Sequence, residues 1–212
     1  MDYLKDPQAI YAKSFATIRS EVDFSKLPGD IASIAERMIH ACGMVELISE
    51  IAYSEDVAQA TTDALTSGAP LFTDCEMVRS GIISNFLPAG NDVLCMLNEE
   101  NVPSLAREQK TTRSAAQVSL WGELLQGSIV VIGNAPTTLF ALLEAIDNGA
   151  PKPSAIIATP VGFVGAEEAK AELSNNPRGV PYLTVKGRRG GSAIASAALN
   201  AMSKIAQARN VA

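Results

Sequence analysis

SIVVIGNAPTTLFALLEAIDNGAPKPSAIIAT, residues 128–159, decides the fold. It opens on SIVVIG, an apolar run of strand length with no alternation, the pattern of a strand covered on both faces. APTTLFALLEAIDNG then reads as helix, ended by Gly149, and SAIIAT reads as a second buried strand. Strand, helix and strand in this order make a βαβ unit, and such units build parallel sheets with helices on both faces. Toward the C-terminus the alternation continues. GAEEAKAELSNN (165–176) reads as helix, PYLTVKG (181–187) as strand and GGSAIASAALNAMSKIAQARN (190–210) as the closing helix.

Toward the N-terminus the signals are less regular. TTRSAAQVSLWGELLQG (111–127) reads as one helix, and LFTDCEMV (71–78) and DVLCML (92–97) as strand-like pieces around the turn-rich LPAGND. A helix over residues 55–66 is closed by Ser67-Gly68-Ala69-Pro70. Another starts at about Asp30, read as its cap, and runs through IASIAERMIHACG, with Ile31, Ile34, Ala35, Met38 and Cys42 as its apolar stripe. The first helix follows Asp6-Pro7, with Tyr11, Phe15, Ile18 and Val22 at helical spacing. The expected fold is α/β, three-layer, with a largely parallel sheet and helices on both faces, and residues 1–212 are expected to form a single domain.

Composition narrows the function. Hydrophobic residues at 47% and charged residues at 19% describe a globular chain with a real core. MDYLKDPQAIYAKSF lacks the apolar stretch of an export signal, and no run approaches the roughly 20 residues of a membrane span. The expectation is a cytoplasmic protein without membrane contact. Cys42, Cys75 and Cys95 form no C-x-x-C pair and are expected to be free thiols. The net charge of −6 is unevenly distributed: after Glu172 there is no acidic residue, while Arg178, Lys186, Arg188, Arg189, Lys204 and Arg209 are basic. Nucleic-acid binding is disfavoured by the acidic total. A local basic patch suits a small anion better.

VIGNAPT, TPVGFVGA and VKGRRGGSA each carry glycine where a strand turns into a helix, the place at which α/β sheets usually receive ligands. Neither the G-x-G-x-x-G fingerprint nor GxxxxGK[ST] is present. Arg188 and Arg189 precede a helix and Arg113 follows Thr111 and Thr112 into another, so guanidinium forks and helix-end N–H groups could share a ligand's carboxylates. His40 is the only histidine, off the apolar stripe of its helix, with Arg37 one turn earlier and Gly43 three residues on. From the residues alone it could be a hydrogen-bonded core side chain, a ligand or a proton donor. With one histidine and no carboxylate cluster, a protein-held metal is not expected.

RMIHACG, YAKSFATIR, TRSAAQV, VIGNAPT, PVGFVGAEEAK and GRRGGSAIASAALNA occur in this order along nearly the whole chain, which thereby resembles the precorrin-8X methylmutase (precorrin isomerase) family of cobalamin biosynthesis. The resemblance implies a cofactor-free 1,5-sigmatropic shift that moves a methyl group between adjacent ring-C carbons of precorrin-8X and gives hydrogenobyrinic acid. It puts the family's catalytic histidine on His40, as general acid, with Ser14 and Arg37 near the macrocycle and Arg113, Arg188 and Arg189 on its peripheral carboxylates. It further implies a homodimer with the macrocycle near the interface. The D-x-H-x-x-G motif of adenosylcobalamin-dependent mutases is absent, since Met38 stands where the aspartate belongs. Three alternatives stay open: a tetrapyrrole carrier without turnover, the branch of the family that acts on cobalt-precorrin-8, and an α/β enzyme acting on a different polyanion with His40 structural.

Overall fold

The computed structural model describes residue 1 and residues 3–211. The chain runs through α1 (Pro7–Glu21), α2 (Gly29–Cys42), β1 (Ile51–Tyr53), α3 (Val57–Thr66), β2 (Leu71–Thr73), α4 (Glu76–Gly81) and β3 (Val93–Leu94). It continues through α5 (Val102–Glu108), α6 (Arg113–Ala116), β4 (Ile129–Ile132), α7 (Pro136–Asp147), β5 (Ala155–Ala158), α8 (Ala166–Asn175), β6 (Tyr182–Val185) and α9 (Ser192–Val211). The strands form one sheet in the order β1-β6-β5-β4-β2-β3, and every neighbouring pair is parallel except β1 on β6.

The uniform apolarity of β4 and β5 has the cause expected for it. Ile129, Val131, Ala155 and Ile157 point into a core built with α2, α3, α4 and α9, while Val130, Ile132, Ile156 and Ala158 point into a second core beneath α7 and α8. Helices on both sides of a mostly parallel sheet are the three layers read from the sequence. α2 lies along α9, and α1 packs on α2 as an outer element. No described helix is long and apolar enough to cross a membrane.

Several local expectations are corrected. LFTDCEMV is strand only to Thr73; Asp74 then turns its carboxylate to another loop and residues from Glu76 coil into α4. DVLCML keeps two strand residues at the sheet edge. TTRSAAQVSLWGELLQG is not one helix: α6 gives way to 3-10 turns over Gln117–Leu120 and Gly122–Leu125, with Gly122 in the left-handed region at φ 49°. The helix expected over residues 55–66 begins at Val57. Asp30 does not cap α2, whose N-cap is Pro28; it pairs with Arg209 at 2.6 Å. Arg209 therefore pins the last helix to the start of α2. Asp6 does cap α1, accepting from Ala9 N–H at 2.7 Å.

Two turns that follow strands are locked together. Gly191 N–H donates to Thr159 O at 2.7 Å and Gly162 N–H to Arg188 O at 3.2 Å. Gly190 sits so close that a Cβ there would press on the carbonyl oxygens of Thr159 and of Pro160, the latter at 2.8 Å. Backbone cannot yield as a side-chain tip does, so Gly190→Ala is expected to cost about 1–3 kcal/mol in urea denaturation, as overpacking typically does. A variant as stable as wild type would show that the two turns are not locked.

Candidate active site

α2 ends where Gly43 takes φ 69° and returns its N–H to Ile39 O at 2.8 Å, a left-handed cap that suits glycine. His40 is thereby in the last turn, exposed, beside the buried Ile34, Met38 and Ile39 that bind the helix to the core. Its ring is held by α1. Tyr11, Ser14, Phe15 and Ile18 share one face of that helix. Ile18 is buried, whereas the other three meet the imidazole. Ser14 Oγ lies 2.9 Å from His40 Nδ1, Phe15 stacks on the ring at 4.9 Å and 19°, and Tyr11 is tilted against it at 5.5 Å. Among the described residues nothing hydrogen-bonds Nε2.

His40 stands between two clefts. One, of about 340 Å³, is lined by Arg37, Ala41 and Met77, with a floor of small α9 residues including Ala193, Ser196 and Ala197. The other, of about 270 Å³, is lined by Ser14, Thr17, Glu21, Gly43 and Val45. Arg37 donates to the Tyr11 hydroxyl and lies 5.7 Å from the Phe86 ring centre. Ser14, Arg37 and His40 are thus brought together.

Arg188 and Arg189, on the turn after β6, line a further cleft of about 280 Å³ with Met44, Val161, Phe163 and Gly190. Met44 follows Gly43, so the histidine helix ends against the arginine turn. Arg188 lies over the Phe163 ring at 5.5 Å, and Arg189 pairs with Glu50 at 3.2 Å. Phe163 is 86% exposed, an aromatic surface in water that packs no core. Arg113 lies in none of these clefts. Its guanidinium donates to Leu97 O at 3.0 Å and Asn98 Oδ1 at 2.8 Å, beside the start of α7 through the Thr112–Thr137 hydroxyl pair.

The VIGNAPT turn departs from its reading as a ligand seat. Asp74, fully buried, fills it: Oδ1 accepts from Gly133 N–H at 3.0 Å, and Oδ2 from Asn134 and Ala135 N–H at 2.8 and 2.7 Å. Burial pushes the carboxyl upward from the ordinary aspartate value, and the three N–H groups oppose that shift. With donors on both oxygens and no acceptor for a carboxyl proton, the ionised form matches the geometry. Gly133 has its own packing reason, since a Cβ would come within 2.6 Å of Ser192 Cα. The three cysteines are free, and burial pushes each thiol above its ordinary value.

Sequence reasoning missed the aromatic grip of Tyr11 and Phe15, which read as core stripe, and the partners of the arginine turn, Glu50 and Lys170. The first was within reach, because Tyr11, Ser14 and Phe15 are spaced to face one point. The second pairing spans the chain and has no local signal.

Comparison with known proteins gives one answer. A precorrin-8X methylmutase from Pseudomonas aeruginosa is 52% identical, covering 95% of this chain and 97% of its own. A cobalt-precorrin-8 methylmutase from Priestia megaterium is 35% identical over 94% of this chain and 88% of its own. The crystal structure of a precorrin-8x methyl mutase from Thermus thermophilus superimposes with a TM-score of 0.86 at 36% identity, covering 95% of this chain and 97% of that one. The family model described as precorrin-8X methylmutase matches residues 9–205, nearly the whole length, and the chain belongs to the precorrin-8X methylmutase family, isomerases that transfer a methyl group within one molecule.

Proposed function

We propose that this chain acts on metal-free precorrin-8X, converting it to hydrogenobyrinic acid by a 1,5-sigmatropic methyl shift on ring C with His40 as general acid. The observation that carries the proton-donor role is the imidazole held at Nδ1 by Ser14 and between aromatic rings, with Nε2 left unbonded beside open clefts. A proton delivered from Nε2 to the macrocycle draws electron density toward the protonated end of the conjugated path, and this favours migration of the methyl group. Loss of a proton afterwards lets conjugation spread. Ser14 serves the ring on both sides of the transfer: its hydroxyl oxygen accepts from Nδ1–H of the imidazolium, and accepts from the same Nδ1–H of the neutral tautomer left once Nε2 has given up its proton, ready to take one back.

Arg188 and Arg189 receive peripheral carboxylates, Arg37 contacts the macrocycle beside His40, and Arg113 reaches further carboxylates from the start of α6. A flat ligand larger than any one cleft spans several of them, with Phe163 offering an apolar surface to its face. The active species is a homodimer in the cytoplasm and residues 1–212 form one domain. The half-exposed apolar face of α1 supports the dimer, because only Ile18 of that helix is buried within one chain. The higher identity to a relative named for precorrin-8X than to one named for cobalt-precorrin-8 supports the metal-free substrate.

The test is a visible-absorption time course with precorrin-8X and, in parallel, cobalt-precorrin-8, with products identified by mass and NMR. Turnover of the first with little of the second is expected. Preference for the second moves the chain to the cobalt branch, and binding with no isomer formed makes it a carrier. Ser14→Ala removes one hydrogen bond that fixes the tautomer and ring angle. A loss of about 3- to 10-fold in kcat is expected, the size of a net bond of about 0.5–1.5 kcal/mol. An unchanged kcat would remove Ser14 from the mechanism.

A further inference from the structure

Lys170, on α8, is 1% exposed, a rare place for an ammonium group. It does not point into the second core. Its Nζ donates to the backbone carbonyl of Arg189 at 2.5 Å, across from α8 to the turn after β6. The charges acting on it are Glu50, which precedes β1, and Glu167, one turn earlier on α8. Glu50 in turn holds the Arg189 guanidinium at 3.2 Å. The arginine turn is therefore gripped twice, by its main chain from a buried cation and by its side chain from a carboxylate.

We propose that Lys170 is a positioning residue for the arginine turn: by holding the Arg189 carbonyl from beneath, it sets where Arg188 and Arg189 present their guanidinium groups to the carboxylates of the macrocycle. This rests on the reading that the turn receives those carboxylates. A core lysine with no such task would be replaceable by an apolar side chain of similar length, since a buried charge is costly and seldom kept for stability alone. Here the cost secures a carbonyl at the base of a two-arginine fork. Charge-assisted hydrogen bonds are about twice as strong as neutral ones, so the hold is strongest while the amine is protonated.

Burial lowers the Lys170 pKa from 10.5 to about 8, against the pull of Glu50 and Glu167. Two effects of opposite sign follow. As pH rises through about 8 the grip on Arg189 weakens and ligand affinity falls. Stability moves the other way: the unfolded chain keeps this proton up to its ordinary value of 10.5, so between about 8 and 10.5 it binds more protons than the folded chain, and folding gains. A merely structural lysine would make affinity follow stability.

The experiment is spectroscopic titration of the full chain with hydrogenobyrinic acid from pH 6.5 to 9.5, alongside urea denaturation at the same pH values. Wild type is expected to lose about 10-fold in affinity across a step near pH 8, as the charge-assisted bond to the Arg189 carbonyl becomes a neutral one. Lys170→Met should bind about 10-fold more weakly at pH 7 and show no step. Lys170→Arg, whose charge does not titrate in this range, should bind close to wild type at pH 7 and also lose the step. If Lys170→Met folds poorly, Lys170→Arg carries the test through the step alone. Wild-type affinity in Lys170→Met, or a step that persists in Lys170→Arg, overturns the proposal. Arg188→Ala with Arg189→Ala separates the two layers: if that pair leaves affinity unchanged, the reading of the turn itself has failed.

Discussion

His40→Ala is expected to bind hydrogenobyrinic acid within a few-fold of wild type while turning over precorrin-8X about 100-fold or more slowly, the usual range for losing a positioned general acid. The separation of binding from turnover follows from the site. The arginines that would hold carboxylates are on other elements, and removing the imidazole takes away no charge that those carboxylates need. Stability should fall only modestly, by about 1–2 kcal/mol, because the exposed His40 contributes a hydrogen bond to Ser14 and ring contacts with Phe15 and Tyr11. Single-turnover absorption gives the rate, equilibrium titration the affinity and urea denaturation the fold. A variant that keeps wild-type turnover would dismiss the histidine as proton donor. One that loses binding and turnover equally would make it a ligand contact.

Asp74→Ala carries the largest stability effect we expect, a loss of about 3–5 kcal/mol, because the buried Gly133 N–H and the part-buried pairings of Asn134 and Ala135 would lose their acceptor at once. Against a total of roughly 5–15 kcal/mol for a typical domain, that is a large fraction of the whole. Asp74→Asn keeps one acceptor oxygen but turns an NH₂ toward a donor, so about half that loss is expected, from the same pairing rule. Urea denaturation of both variants checks the order. Equal stability of Asp74→Ala and wild type would mean that water satisfies the turn. The position matters beyond stability. β2 and β4 are neighbours at the point where strand order reverses, the crevice in which open α/β sheets commonly bind ligands. Here the chain's own carboxylate fills it, and the clefts lie instead against α1, α2 and α9 and between the turns that follow β5 and β6.

The second half of the fold was legible because β4, β5 and β6 are four-residue strands between glycine-marked turns and well-patterned helices. The middle was not, for a physical reason. β1, β2 and β3 have two or three residues each, too few for alternation to be visible, and what fixes them is pairing to distant strands. α6 and its 3-10 turns are shaped by Gly122 and by Gln117, whose amide donates to Asp74 O at 2.9 Å, a contact between segments far apart in sequence. In the candidate site, His40 announced itself by being single. The roles given to Ser14, Arg37 and the arginine turn came with the family resemblance, while nothing in the sequence singles out Lys170, because the burial that distinguishes it exists only in three dimensions.

Glu50 stands at the head of β1, and its carbonyl accepts the Lys186 N–H at 2.8 Å, just before the arginine turn. The chain that leaves the histidine helix at Gly43 is thus fastened within seven residues to the strand that delivers Arg188 and Arg189. The interval between the proposed proton donor and the proposed carboxylate fork is consequently set by a length of chain. One residue inserted between Met44 and Ser49 would leave every reactive group intact and still mis-space them. On the proposed reading of the two ends, the segment would gauge the width of the macrocycle, and enzymes fitted to a ligand of another breadth should differ there in length before they differ in their histidine or arginines.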